Sequence, residues 1–264
     1  MEKEVKKRTA SDIVRYMVMV IALCVFCYSG YRLVMIYMEY KAGTDEYSAL
    51  EEKYILKDTV STESAGAEDN EPTMKNPIDF DGLKQINSDI IAWISVGAID
   101  ISYPVAQGED NDYYLHHTFE DQENIAGCIF MDYECDKNFT DSHTIIYGHN
   151  MRNESMFGKL KKFKDEDVFN SDAFFWIYTP EKIYRYEIFA CQEVGATSAT
   201  YQHQFDDKEK FQEYIDTTFA ESILIRDIEV TSEDKIVTLS TCTGNAATRF
   251  VVQGKLLETY KAVK

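Results

Sequence analysis

The apolar and polar positions change rhythm three times along this chain. From Tyr16 to Met38 the residues are almost uniformly apolar, interrupted only late by Arg32. From Glu39 to Pro77 charged and small polar residues dominate. From Ile78 onward, short β-branched and aromatic runs alternate with turn residues. The first rhythm is long enough for a helix that crosses a bilayer, about 20 residues. The third predicts strands at 93–96, 99–105, 126–131, 143–148, 173–178, 183–194, 235–241 and 248–258. Apolar residues at 83, 86, 90 and 94 follow a helical spacing, with Asp79 or Asp81 as cap. Helices are also expected at 110–116 and 154–163. A longer one at 206–221 is marked by Phe205, Phe211, Ile215 and Phe219. Many short strands with a few inserted helices predict a mainly antiparallel, barrel-like sheet.

The flanks orient the apolar segment. Lys3, Lys6, Lys7, Arg8 and Arg15 precede it, and Glu39, Asp45 and Glu46 follow it. By the positive-inside rule residues 1–15 are a cytoplasmic flank, 16–38 a transmembrane anchor, and the rest lies outside. Arg32 can snorkel to the headgroups. No small-residue cleavage site closes the run, so a retained signal anchor is expected over a cleaved signal peptide. Residues 39–56 read as a charged stalk and 57–77 as a mobile linker. Together they form a stalk-and-linker region, 39–77, ahead of an extracellular domain at 78–264.

The net charge of −19 resides in that exported part. Such an acidic body excludes nucleic acid as a partner. Of six cysteines, Cys24 and Cys27 lie in the apolar span, and the remaining four show no close pairing. A disulfide framework is not expected, although Cys128 and Cys135 could bridge a hairpin. The five histidines do not combine with acids or cysteines at ligand spacing, so no metal and no cofactor is expected.

The candidate chemistry lies at strand ends. The run Lys235–Thr241 delivers Cys242, and a second run starts at Arg249 after a short Thr-Gly-Asn-Ala-Ala turn. A thiol and a permanent cation are thereby set at one end of a sheet, a layout suited to a thiolate nucleophile. A third run, Thr144–Tyr147, ends in Gly148-His149-Asn150 and presents an imidazole at a polar turn. Cys242, His149 and Arg249 together suit acyl transfer by nucleophile, general acid/base and oxyanion stabiliser. Taken singly, each has an ordinary explanation in packing or surface solvation.

Thr238-Leu-Ser-Thr-Cys242 with Arg249, Ile145-Ile-Tyr-Gly-His149-Asn-Met151, Asn111-Asp-Tyr-Tyr-Leu115 and Gly127-Cys-Ile-Phe-Met-Asp132 resemble the sortases, most closely class B. The likeness spans residues 78–260. It implies a closed eight-stranded β-barrel with N-terminal helices and a helix before the cysteine strand. It also implies a membrane-anchored cysteine transpeptidase on the outer face of a Gram-positive cell. Such an enzyme cleaves a C-terminal sorting signal after Thr and passes the acyl group from a cysteine thioester to a cell-wall precursor amine or a pilin. Carried onto this chain, Cys242 is the nucleophile, His149 the acid/base and Arg249 the stabiliser. Asn111, Leu115 and Ser240 would line the groove for an Asn-Pro-x-Thr-type signal. The short turn between Cys242 and Arg249 departs from the family pattern and bears on substrate preference. Two other readings use the same residues differently: a cysteine protease with water as acceptor, and a tethered binding module without chemistry.

Overall fold

A computed structural model describes residues 10–56, 72–172, 174–245 and 247–264. Most of the basic flank and of the expected linker therefore lies outside the described residues. The chain divides into two units, residues 1–42 and 43–264.

The first unit is helical. Helix α1 (Ala10–Tyr54) contains the apolar segment, whose large side chains from Ile13 to Met38 are exposed. It is long and apolar enough to cross a membrane.

The second unit begins at Gly43, upstream of the boundary at Ile78 that composition suggested. Tyr47, Leu50 and Tyr54, on the last turns of α1, are buried. The Tyr47 hydroxyl donates to Gly127 O (2.7 Å) and accepts from Phe119 N (3.1 Å). Ile55 pairs with Ile78 in an antiparallel bridge, and Leu56 N–H donates to Pro77 O (2.7 Å). Residues 43–56 are thus part of the compact unit rather than a free stalk.

Next come β1 (Thr73–Lys75), α2 (Phe80–Ile86) and β2 (Ile90–Val96). Asp79 caps α2 by accepting from Gly82 N. The expected helix through 94 stops at Ile86. There Asn87 accepts from Asp89 N (2.8 Å) and donates to Tyr114 Oη (2.9 Å) and Phe119 O (3.0 Å). Side chains bonding to nearby backbone in this way favour turns over helix. Beyond it, both faces of β2 are largely buried, so its alternation is hidden in the sequence.

The remaining elements are β3 (Ile101–Ala106), α3 (Tyr113–His116), β4 (Ile129–Met131), β5 (His143–Tyr147), α4 (Glu166–Ser171), β6 (Phe174–Tyr178), β7 (Lys182–Gly195), α5 (Lys208–Glu221), β8 (Leu224–Ile225), β9 (Ile236–Cys242) and β10 (Thr248–Val263). The helix expected at 154–163 is instead a 3-10 turn at Leu160–Lys164 followed by α4, which Asp165 caps.

The sheet order is β1-β10-β9-β5-β4-β3-β2-β6-β7-β8, and β10 also pairs with β7 along nearly all of its length. That pairing closes eight strands into a barrel, with β1 and β8 as short additions outside the ring. Gly254 permits the close approach of β10 to the core, since a Cβ there would lie 2.3 Å from Phe175 Cε1. Helix α5, in the connection before β9, packs Phe211, Tyr214 and Ile215 on Phe189, Ala190 and Ile236. The cysteines are free thiols, Cys128 and Cys135 included.

Candidate active site

Three adjacent strands bring the expected residues together. Strands β9 and β10 are antiparallel neighbours, and Cys242 stands directly opposite Arg249. Strand β5 runs parallel to β9 with Tyr147 registered on Ser240, and Gly148 N–H extends the pairing to Ser240 O (3.1 Å). His149 follows at the same end of the sheet. Gly148 has no room for a side chain, because a Cβ would lie 2.4 Å from Ile129 Cδ1 and 2.7 Å from Phe157 Cγ. Phe157 N–H donates to His149 O (3.0 Å), and Asn150 bridges to Met156, which fixes the turn after the histidine.

The imidazole is oriented from behind. His149 Nε2 donates to the Leu115 carbonyl (2.8 Å). A carbonyl can only accept, so Nε2 carries the proton and Nδ1 is the nitrogen that can exchange one. Arg249 is half-buried, and its Nη1 donates to Thr248 O (2.9 Å). Cys242 is half-buried as well, and among the described residues no direct hydrogen bond joins its sulfur to His149.

The other thiols of this unit are set apart by burial. It pushes Cys128 and Cys135 up to about 12 and Cys191 to about 11. Those three remain protonated and inert at neutral pH.

All six expected residues, Cys242, His149, Arg249, Asn111, Leu115 and Ser240, line one cleft of about 360 Å³. The cleft wall also contains Phe130, Tyr147, Ala196, Tyr201 and Thr241, which the sequence reading did not single out. Tyr147 and Tyr201 stack with ring centroids 6.1 Å apart. The Tyr201 hydroxyl pairs with Ser240 Oγ (2.8 Å). Tyr147 donates to Asp132 Oδ2 (2.9 Å), and Asn111 Nδ2 donates to the same oxygen (2.9 Å). Burial raises the pKa of both phenols, so the wall is aromatic, neutral and hydroxyl-bearing. Tyr147 was within reach of sequence reasoning, as it is the last residue of the strand that leads into His149. Tyr201 lies in a polar connection and carried no such signal.

The cleft can therefore take an extended peptide along an aromatic wall toward a thiol flanked by an imidazole and a guanidinium. Among the described residues, no group of three or more acidic, histidine or cysteine side chains is arranged to hold a metal.

Comparison with known proteins gives a consistent result. The Sortase domain profile matches residues 94–257. Sortase B of Listeria monocytogenes is 32% identical over 90% of this chain and 94% of its own. The crystal structure of Clostridium perfringens sortase B aligns with a TM-score of 0.65 at 38% identity, covering 68% of this chain and all of the other. That of Bacillus anthracis sortase B in complex with AAEK1 aligns at 0.71 and 32%, covering 84% and 100%.

Proposed function

Because the chain belongs to the sortases, a family of cysteine transpeptidases, and within it to class B, we propose that Cys242, His149 and Arg249 transfer an acyl group from a surface-protein sorting signal to a cell-wall precursor amine. The observation that carries this reading is the registered pair Cys242–Arg249 with His149 in the same cleft.

The Cys242 thiolate attacks the carbonyl carbon of the threonine in an Asn-Pro-x-Thr-type signal. A C–S bond forms, and the carbonyl oxygen takes up the negative charge. Arg249 donates to that oxygen with a rigid, permanently charged fork. As the tetrahedral species collapses, the C–N bond breaks, and His149 gives the departing amine a proton from Nδ1. The thioester then meets the acceptor amine. His149 takes a proton from it as the new amide forms and Cys242 leaves as thiolate. Asn111, Leu115 and Ser240 line the groove for the signal, with Tyr147 and Tyr201 beside them.

Residues 1–15 are assigned to the cytoplasm and 16–38 to the membrane, with the catalytic domain outside. The exposed apolar face of α1 and the basic residues before it support this topology. The relatives' activity and the strand-end geometry support the chemistry.

Incubating the chain with an Asn-Pro-x-Thr peptide, with and without an added amine, tests the reading. The expected products are an acyl-enzyme on Cys242, seen by mass spectrometry, and an amine-dependent ligation product. Hydrolysis that ignores added amine would make the chain a cysteine protease. No acyl-enzyme with any sorting peptide would leave a binding module.

A further inference from the structure

The face that carries the site carries a second polar layer deeper in the fold. On β9, Thr238, Ser240 and Cys242 share one face, registered on β10 with Gln253, Val251 and Arg249. On β5, Ile145 and Tyr147 are registered with Thr238 and Ser240, so His143 falls on the same face, and His149 follows two residues past Tyr147 in the same cleft. Four strand residues back from Cys242 and Arg249, about 13 Å, lie Thr238 and Gln253, with His143 beside them. All three are fully buried.

One arrangement of protons satisfies their shortest hydrogen bonds. The Gln202 carbonyl can only accept, so His143 Nδ1 donates to it (2.7 Å), and Nε2 is left bare. The Thr238 hydroxyl spends its proton on Nε2 (2.7 Å). Thr238 Oγ1 can then only accept from Gln253 Nε2 (3.1 Å), which also donates to the Tyr214 hydroxyl (2.6 Å). The Tyr214 hydroxyl lies 3.3 Å from both Thr200 O and His143 Nε2, and Gln253 Oε1 accepts from Gln192 Nε2 (3.1 Å). The chain of bonds ties β5, β9, β10, β7 and α5 to one another. An apolar layer would fill the same space but tolerate small sliding of one strand on the next, whereas a directional buried network does not.

We propose that His143, Thr238, Gln253 and Tyr214 are positioning residues, which fix the relative height of the strand that leads into His149, the strand that ends in Cys242 and the strand that begins beside Arg249. Helix α5 thereby acts on the reaction from the same face of the sheet, through Tyr214. The three reacting groups sit just past or at strand ends, where their mutual distances depend on strand offset. An offset of an ångström at such a site costs up to about a hundredfold in rate.

The test uses the full chain in detergent micelles, with Thr238→Val, Thr238→Ser and Tyr214→Phe compared below the melting temperature of each. The readouts are kcat and KM for transpeptidation and the pH dependence of Cys242 alkylation by iodoacetamide. Thr238→Val is expected to lower kcat about tenfold to a hundredfold, to leave KM essentially unchanged and to alter the alkylation profile. Thr238→Ser restores all three, and Tyr214→Phe falls between. A folded Thr238→Val chain with wild-type kcat and alkylation overturns the inference. So does a loss confined to KM, or a serine variant as impaired as the valine one. The inference rests on the proposed roles of Cys242, His149 and Arg249. A wild-type chain that forms no thioester sinks those roles, while the alkylation profiles still decide whether the buried layer controls the thiol's surroundings.

Discussion

Acidification should unlock the buried layer through His143. Burial drives this imidazole down from 6.5 to about 4, opposed in part by its bond to the Gln202 carbonyl and reinforced by the nearby His203. Tyr214 also faces it, with ring centroids 5.0 Å apart. Between pH 6.5 and about 4 the unfolded chain therefore binds a proton at this position that the folded chain refuses. The sign follows directly: stability is unaffected above 6.5 and is lost as the pH falls through this window. At about 1.4 kcal/mol per pH unit, the interval is worth about 3 kcal/mol, a sizeable share of a typical domain's 5–15 kcal/mol. Carboxylates that gain partners, such as Glu154 held below its ordinary value by Lys162, titrate alike in both chains and cancel in a comparison with a His143 variant. His143→Gln removes the titration. Urea unfolding followed by the fluorescence of buried Trp93, at half-unit steps from pH 7 to 4.5, measures both chains. The wild type should lose stability with falling pH faster than His143→Gln, by roughly 1 kcal/mol per unit. Parallel pH dependences would refute the buried neutral imidazole.

Three further outcomes follow from the site. Arg249→Lys keeps the charge but loses the planar fork, and kcat for thioester formation should fall about tenfold to a hundredfold in single-turnover assays. Asp132→Ala removes the oxygen shared by Asn111 and Tyr147. It should raise KM for the sorting peptide by about tenfold, a cost of about 1.4 kcal/mol, with a smaller effect on iodoacetamide labelling of Cys242. Gly148→Ala forces a methyl group against Ile129 and Phe157, and thermal unfolding should show a loss of about 1–3 kcal/mol together with reduced kcat.

The ring of eight strands was legible because each is a short β-branched or aromatic run bounded by turn residues. Strands β1 and β8, of three and two residues, are too short to leave a pattern. The stretch 90–96 mimicked a helix because burial on both faces erases the strand alternation. Residues 43–56 read as a stalk because acidic side chains surround Tyr47, Leu50 and Tyr54. Their spacing of three and four was nonetheless a helical apolar stripe. Within the site, Cys242, His149 and Arg249 could be found because each sits at the boundary of a clear strand. Asn111 and Leu115 came from the family resemblance. Tyr201 reaches the cleft from a connection between β7 and α5, and its partner Ser240 is far along the chain, so only the fold brings them together. The buried layer was equally silent. His143, Thr238 and Gln253 look like polar interruptions of apolar strands until register aligns them.

The bridge between Ile55 and Ile78, with Leu56 N–H bonded to Pro77 O, holds the end of α1 and the segment ahead of α2 in one compact unit. Its leading partner is anchored there through Tyr47, Leu50 and Tyr54. A backbone cut between the two bridge partners would therefore produce a nicked molecule, not a shed domain. The two fragments would stay assembled as a complementing pair, with residues 43–56 acting as a bound peptide, and proteolysis at that position would not release the enzyme.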